Sequence, residues 1–305
     1  MKGHRQTETA AALEQMLPYV WSIGIYTGES PFNLAPASNT HNPVLSATDV
    51  TDLRAVFVAD PFMIRANDNW YMFFEVFNAG TLKGEIGLAT SDNGWTWKYQ
   101  RIVLKEPYHL SYPYVFAWQG EHYMVPETLG AKSIQLYKAA SFPHDWLLVG
   151  SLVAGEFADP TLFRFADRWW MFGCSTPHEH DTLRLFFADQ LAGPWTEHPA
   201  SPIVENNNRM ARPGGRALVL ADRIIRFAQD CFPIYGSEVR AFEIAELTPT
   251  TYREKEYERS PILGASGAGW NSSGMHHVDP HLRRDGSWFA CVDGLCINLA
   301  AVPYQ

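Results

Sequence analysis

Carboxylic acids recur at matched positions in this chain of 305 residues, and they are the side chains best suited to do chemistry. Asp60 and Asp159 each stand directly before a proline, whereas Glu75 and Glu127 each end an apolar run. Like charges gathered in one cavity push their pKa values apart, which yields one acid and one base. Cleavage of a glycosidic bond uses such a pair, one carboxyl protonating the leaving oxygen and the other acting as base or nucleophile.

Basic, amide and imidazole side chains accompany these acids. Arg212 precedes a proline as Asp60 does, and Arg216 follows four residues later. A guanidinium group binds anionic or hydroxyl-rich ligands, and its competing role is to pair with the acidic cluster. The residues that we predict to hold a substrate are Glu75, Tyr112, Arg212, Arg216, Gln229, Asp230, His276, His277 and Asp279.

The acids also have structural alternatives. An aspartate before proline can accept hydrogen bonds from nearby backbone N–H groups, so the Asp-Pro pairs could be a fold-building motif. The residue before the proline is Tyr112 in unit two and Arg212 in unit four, so the fold does not require an aspartate at this position. Glu75 and Glu127 could form salt bridges with arginine, because a buried unpaired glutamate is rare.

The sequence gives weaker support to metal binding and to catalysis by a cysteine. His276 and His277 are adjacent, and neighbouring residues of a strand point to opposite faces, so a joint metal chelate is not expected. We predict no bound metal and no organic cofactor. Cys174 and Cys231 are weak candidates for a nucleophile, since no local His-Cys arrangement accompanies them and buried thiols are usually inert.

An internal repeat positions these residues. Each of five segments reads x-Pro, a short apolar stretch, a polar turn and an aromatic-rich stretch, which is the pattern of a β-hairpin. Two more strand-like runs follow the hairpin, which makes four antiparallel strands per unit of about fifty residues. Radial repetition of such sheets predicts an all-β fold, a five-bladed β-propeller. The repeated prolines, spaced 52, 47, 53 and 67 residues apart, are Pro61, Pro113, Pro160, Pro213 and Pro280.

The two ends of the chain complete this prediction. The fifth unit runs short, and the strand-like run WSIGIYTG (21–28) has no unit of its own. We therefore expect an N-terminal strand to complete the last blade and close the ring. Residues 7–17 look helical, so we expect a helical extension over 1–18 and a single propeller domain over 19–305.

Hairpin geometry brings the candidate residues to one mouth of the central channel. The start of the first strand of a hairpin lies beside the end of the second. A residue before proline is held extended, which fixes its direction. We therefore expect Asp60, Asp159 and Asp279 to point at the axis, with Glu75 and Glu127 beside them.

Composition limits the remaining possibilities. The net charge is −9, which disfavours a nucleic-acid binder, and no apolar run is long enough to span a membrane. The four cysteines are too sparse for a disulfide framework, and the first residues lack the apolar core of a signal peptide, so we expect a cytoplasmic protein. Aromatic residues make up 14% of the chain, and we assign most of them to packing between blades.

Short phrases in the chain resemble known families. ADP at the start of units one and three, LATSDNGWTW and FADQLAGPWTEHP resemble glycoside hydrolases of families 43 and 32. The chain from about Trp21 to Gly294 is similar to the N-terminal domain of plant glucosamine inositolphosphorylceramide transferases and related bacterial proteins. The phrases that carry this second resemblance are WSIGIYTGESPF, FVADPF, YPYVF, MVPET, ARPGGR, AQDC, YG and HHVD.

The resemblance implies roles for three acids. Asp60 matches the general base or nucleophile of blade one, and Asp159 matches the blade-three aspartate that tunes the acid in family 43. The catalytic glutamate of family 43 belongs to blade four and that of family 32 to blade three, but the glutamate of this chain is Glu127 in blade two. The implied catalytic residues are therefore Asp60, Glu127 and Asp159.

Three functions follow from these observations. The leading hypothesis is a carbohydrate-active enzyme of glycoside hydrolase type, which cleaves or transfers a glycosyl unit of a small carbohydrate or sugar-containing substrate. The second is a non-catalytic sugar-binding or glycolipid-binding propeller that accompanies a glycosyltransferase. The third is a metal-dependent or other enzyme that acts on a cationic or amino-bearing substrate.

Overall fold

A computed structural model describes residues 18–221 and 223–298 of the protein. It confirms the all-β fold: five sheets, each built on four antiparallel strands, form a five-bladed propeller. The helix predicted over 7–17 lies outside the described residues, so the extension over 1–18 stays a prediction. In the described part of the chain, no helix has the length and apolar character needed to cross a bilayer.

The strands follow one another around the ring in chain order. Two of them come first, β1 (Tyr19–Ser30) and β2 (Asn33–Pro36). Blade one contains β3 (Ala55–Ala66), β4 (Asn69–Asn78), β5 (Lys83–Ser91) and β6 (Lys98–Leu104). Blade two contains β7 (Ser111–Trp118), β8 (Glu121–Glu127), β9 (Ser133–Ser141) and β10 (Asp145–Ala154). Blade three contains β11 (Ala158–Phe165), β12 (Arg168–Cys174), β13 (Leu183–Ala188) and β14 (Thr196–Glu197).

Blades four and five complete the circle. Blade four contains β15 (Leu218–Val219), β16 (Ile224–Asp230), β17 (Glu238–Leu247) and β18 (Tyr252–Glu256), with β19 (Leu263–Gly264) paired to β17. Blade five contains β20 (Val278–Leu282) and β21 (Trp288–Ile297). Short 3-10 turns span Ala47–Asp49, Leu129–Ala131 and Gly269–Asn271.

The N-terminal segment closes the ring, as predicted. Blade five has the strand order β2-β1-β21-β20, so the N-terminus supplies both outer strands of this blade. The antiparallel pairing of β1 with β21 is continuous from Tyr19 opposite Ile297 to Gly28 opposite Trp288. The first and last strands of the fold therefore share one sheet.

Aromatic side chains pack between blades, which confirms the role that composition suggested for them. Phe73 of blade one meets Trp146 of blade two edge-on at 5.4 Å between ring centroids. Trp118 of blade two meets Trp169 of blade three in the same way at 5.2 Å. Each such pair contributes about 0.5–1.5 kcal/mol beyond the area it buries, so these contacts hold neighbouring sheets together.

The prediction of an extended backbone before proline is wrong in three blades. Asp60, Tyr112 and Asp159 have left-handed φ values of 52°, 46° and 52°. Each lies at a β-bulge, where the inner strand carries one residue more than the strand it pairs with. The bulge withdraws the N–H of this residue from the ladder and turns it toward the mouth of the channel. In blade five the ladder passes through Asp279 without a bulge.

Candidate active site

Three acidic side chains at the mouth of the channel accept the N–H of a bulged residue in the following blade. Asp293 Oδ2 accepts the N–H of Asp60 at 3.1 Å, and Asp60 Oδ2 accepts that of Tyr112 at 3.2 Å. Glu127 Oε2 accepts the N–H of Asp159 at 3.2 Å. The alternative that these acids serve the fold through backbone hydrogen bonds is thus part of their role. This backbone hydrogen bond uses Oδ2 of Asp60, and Oδ1 accepts no hydrogen bond from the described residues.

Arg212 compensates two of the acids. Its Nε donates to Asp159 Oδ2 at 2.6 Å, and its Nη2 lies 3.2 Å from Glu127 Oε2. The salt bridge proposed as an alternative for Glu127 is therefore present. Burial raises the pKa of Asp159 to about 7 even though the guanidinium of Arg212 lowers it. A carboxyl with this pKa exchanges its proton near neutrality.

Asp60 and Glu75 lie beside histidines, whereas Glu127 and Asp159 pair with an arginine. Both side chains are buried, and Asp60 Oδ1 and Glu75 Oε1 have no hydrogen-bond partner. His109 Nε2 lies 3.3 Å from Glu75, but burial lowers the pKa of this histidine to about 4, so the ring is neutral at neutral pH. Burial raises the pKa of Asp60 to about 7. Burial and repulsion from Asp60 and Glu127 raise that of Glu75 well above its usual range.

Gln229 adds a third unpartnered acceptor to this cluster. Its Nε2 donates to Asp159 Oδ2 at 2.7 Å and to the carbonyl of Pro213 at 2.9 Å. Both N–H groups are then used, and a flipped amide would place its oxygen against two acceptors. The orientation is therefore fixed, and it leaves the buried Oε1 without a partner.

Arg216 and Asp279 form a separate pair with each other. Arg216 Nε donates to Asp279 Oδ1 at 2.5 Å, and Arg216 Nη2 donates to the carbonyls of Met63 and Val115. Asp279 Oδ2 accepts the N–H of Met63 and lies 2.9 Å from His281 Nε2. Although burial opposes it, Arg216 holds the pKa of Asp279 well below its usual range. The competing role of pairing is thus the one that the geometry supports for Arg216, and Asp279 has no free oxygen for a sugar.

Tyr112 crosses the channel below the acids. Its hydroxyl lies 2.7 Å from Thr161 Oγ1 of blade three and accepts the N–H of Gly215 of blade four at 2.8 Å. The side chain is fully buried, and burial raises the pKa of its hydroxyl well above the usual range. Tyr112 therefore forms part of the floor of the site.

Asp230 is paired with arginines, and the thiols of Cys174 and Cys231 are unreactive. Asp230 Oδ2 accepts hydrogen bonds from Arg240 at 2.9 Å and Arg209 at 3.4 Å, so this predicted ligand residue is paired. Burial raises the pKa of Cys231 to about 12 and also raises that of Cys174. Thiols with raised pKa values are poor nucleophiles, which agrees with the small weight given to them.

The two adjacent histidines both approach Asp60 Oδ1, with His277 Nδ1 at 3.9 Å. His276 Nδ1 lies 2.8 Å from Asp293 and its Nε2 lies 3.6 Å from Asp60. The His277 ring packs edge-on against Phe62, and neither of its nitrogens has a hydrogen-bond partner. Burial lowers the pKa of His277 to about 4, so this ring is neutral.

One group of side chains among the described residues has the spacing of a metal site. Potential ligand atoms of Asp60, His276 and Asp293 lie within 4.8 Å of one another. Asp293, however, already accepts the N–H groups of Asp60, His276 and His277 and binds the His276 ring. Asp60 Oδ1 and His276 Nε2 remain, fewer than the three protein ligands of a typical catalytic zinc site.

Two residues of the mouth escaped the sequence-based set. Asp293 ends the fifth hairpin as Glu75 ends the first, and this equivalent position is the signal that could have found it. Tyr235 lies in the loop 231–237. Its ring centroid lies 5.1 Å from Arg212 Cζ, and the ring meets that of His276 edge-on at 5.2 Å between centroids. Its signal is an aromatic residue in a proline-containing loop after the second strand of blade four. Trp21 stacks on one face of the His276 ring at 4.0 Å between ring centroids.

The fold belongs to a class that contains glycoside hydrolases of known structure. An exo-1,5-α-L-arabinanase from a bovine ruminal metagenomic library superposes with a TM-score of 0.57 at 12% identity, over 78% of this chain and 92% of that one. A family 117 glycoside hydrolase from Zobellia galactanivorans gives 0.53 at 13% identity, over 81% and 86%. At these identities the likeness establishes the shared propeller fold.

Sequence similarity identifies the family. The family model "Glucosamine inositolphosphorylceramide transferase 1, N-terminal" matches residues 18–295, and the chain belongs to this family. Glucosamine inositolphosphorylceramide transferase 1 of Oryza sativa subsp. japonica is 35% identical over 300 residues. The match covers 90% of this chain and 40% of the rice protein, so the chain corresponds to less than half of that relative.

Proposed function

We propose that this propeller binds a sugar at its mouth and cleaves or transfers a glycosyl unit there. One observation carries the proposal: Asp60 and Glu75 are buried acids, each with an oxygen that accepts no hydrogen bond from the described residues. The shared fold with glycoside hydrolases supports a carbohydrate ligand. The rice relative is named glucosamine inositolphosphorylceramide transferase 1, and this name also points to a sugar-containing ligand.

The two acids differ in protonation, as acid-base catalysis requires. Asp60, with a pKa of about 7, supplies a carboxylate at neutral pH, whereas the pKa of Glu75 lies well above its usual range and favours the protonated form. Asp60 then acts as base or nucleophile and Glu75 as proton donor. Glu127 remains the alternative donor suggested by family resemblance, but Arg212 engages its Oε2.

Turnover of a panel of aryl glycosides and oligosaccharides tests this proposal. Asp60→Asn and Glu75→Gln should each lower kcat/KM by about 10²–10⁴-fold, the usual contribution of acid-base catalysis. Glu127→Gln separates the two candidate donors, and Asp68→Asn at an exposed turn is the matched control that should keep full activity. Absence of any turnover by the unaltered protein, or full activity of Asp60→Asn, would refute the enzymatic role.

The unpartnered atoms also indicate which sugars fit. Asp60 Oδ1 and Gln229 Oε1 are both acceptors, so a complementary ligand must donate hydrogen bonds, and an amino group does so with a positive charge. Binding of glucosamine and of glucose at equal concentration should differ at least tenfold in favour of the amine. Equal affinities would leave a neutral sugar as the ligand.

A second candidate function is sugar binding without bond cleavage. The observation that favours it is that the chain matches 40% of the rice relative, which is compatible with a module beside a transferase. Calorimetry on Asp60→Asn separates the two candidates. Affinity that survives this change, together with no product from any substrate, favours the binding module. We further propose a cytoplasmic location, because the four cysteines are free thiols.

A further inference from the structure

Blade five supplies an imidazole to the free oxygen of Asp60. His276 lies two residues before the inner strand β20, and Asp293 lies on β21, the strand paired with β20. Asp293 lies 2.8 Å from His276 Nδ1, and His276 Nε2 lies 3.6 Å from Asp60 Oδ1. The imidazole is therefore placed between two carboxylates that come from opposite ends of the chain.

The position of this ring is fixed on every side. Asp293 also accepts the backbone N–H groups of His276 at 3.2 Å and of Asp60 at 3.1 Å, which ties both residues to one carboxylate. Trp21 stacks on one face of the ring, and Tyr235 approaches it edge-on. Because Asp293 is an acceptor, Nδ1 must carry a proton, and the free Nε2 is directed at Asp60.

The surrounding charges decide the protonation of His276 and Asp60. Asp60 and Asp293 flank the imidazole, Asp159 lies beyond them, and Arg212 faces Asp60 from blade four. Burial disfavours the charged ring, but the attraction of Asp293 and Asp60 outweighs it and raises the pKa of His276. The same contact lowers the pKa of Asp60 against the larger effect of burial. Glu75, raised in pKa by Asp60 and Asp293 among others, is the further acid of this cluster.

We propose that His276, held by Asp293, is a positioning residue that carries a positive charge and keeps Asp60 ionised with Oδ1 facing the imidazole. The proton shared by this unit stays on His276 while Asp60 acts as base or nucleophile. This role for Asp60 rests on the proposed function, but the charge on His276 can be observed without any substrate.

Nitrogen NMR of the histidine rings tests the first part. We expect His276 to stay protonated at both nitrogens at pH 7 and to titrate above the usual 6.5. Asp60→Asn and Asp293→Asn should each lower that midpoint by about one unit, because each removes one flanking charge. His276→Gln assigns the signal, and Asp285→Asn, at an exposed turn, is the matched control that should leave it unchanged. A neutral ring at pH 7, or a midpoint unmoved by Asp60→Asn, overturns the proposal.

The pH profile of kcat/KM tests the second part. In His276→Gln, Asp60 loses the cation that favours its ionised form, so the acid limb should move up by about one pH unit. A merely structural role would lower the rate at all pH values without moving the limb, and that result overturns the proposal. If no glycoside is turned over, the enzymatic function fails while the NMR titration still decides the charge of His276.

Discussion

Two arginines four residues apart in ARPGGR have opposite surroundings. Arg216 and Asp279 form a bridge in which the carboxylate has no free oxygen and an abnormally low pKa. Arg212 faces more acid than it can neutralise, and Asp60 and Asp159 keep pKa values of about 7. The Arg216–Asp279 bridge stabilises the closed propeller, whereas the cluster around Arg212 retains acids that titrate near neutral pH and can take part in acid-base chemistry. Sequence position alone assigned the same role to both.

The largest expected effect is on the Arg216 bridge. Arg216→Met leaves Asp279 buried without its cation, which should lower the free energy of unfolding by about 3–5 kcal/mol. Urea denaturation measures this change. Arg65→Met, which removes an exposed ion pair with Asp68, is the matched control and should cost about 1 kcal/mol or less. Equal effects of the two substitutions would show that the bridge contributes no more than a surface pair.

The dependence of stability on pH should come from the mouth cluster. The folded pKa values of Asp60 and Asp159, about 7, exceed the unfolded value near 4, so their contribution is complete below about pH 4 and is lost as pH rises through 7. Asp279 behaves oppositely, and its contribution is lost only in acid below its unfolded pKa. We expect these two acids to make unfolding about 2–4 kcal/mol easier between pH 5 and pH 8, whereas His109 and His277, with pKa values lowered to about 4, act in the opposite direction over the acid half of this range. The double variant Asp60→Asn, Asp159→Asn isolates the contribution of the acids, and an unchanged pH dependence in that variant would contradict their raised pKa values.

Arg212 should matter less to stability than Arg216 does. In Arg212→Met the neighbouring acids can take up protons, since the pKa of Asp159 is already about 7, so we expect a loss of about 1–2 kcal/mol at pH 8. The loss should shrink at pH 5, where these acids are protonated. Denaturation of this variant at both pH values, beside Arg216→Met, measures the difference. A loss as large as that of Arg216→Met at pH 5 would remove the distinction between the two arginines.

The smallest expected effect is a gain. Asp60→Asn removes a buried charge but keeps an oxygen that can accept the N–H of Tyr112. We expect stability to increase by about 1 kcal/mol at pH 8 and to change little at pH 5, because Asp60 is then protonated in the unaltered protein. Thermal or urea unfolding at the two pH values measures this. Destabilisation at pH 8 would mean that the charge of Asp60 supports the fold.

The sequence predicts the blades better than it predicts the site. Repeated prolines and hairpin patterns depend on local chain geometry, and they were sufficient for five blades and the closure by the N-terminus. The extended backbone predicted for Asp60 is wrong because the β-bulge, not the following proline, sets its conformation. The partner of Asp279 lies 63 residues away on another blade, and only the closed ring shows that it is Arg216. Contacts between blades therefore decide which acids are paired and which stay free.

Closure of the ring also makes the acid cluster depend on contacts between the two ends of the chain. Asp60 and Asp293 are 233 residues apart, and β21, which carries Asp293, is held at its outer edge by β1. Contacts between such distant parts of a chain form late and slow the folding of β proteins. A protease cut that releases β1 would therefore dismantle the cluster although none of its acids lies on that strand. Loss of activity would then report an open ring well before the individual blades unfold.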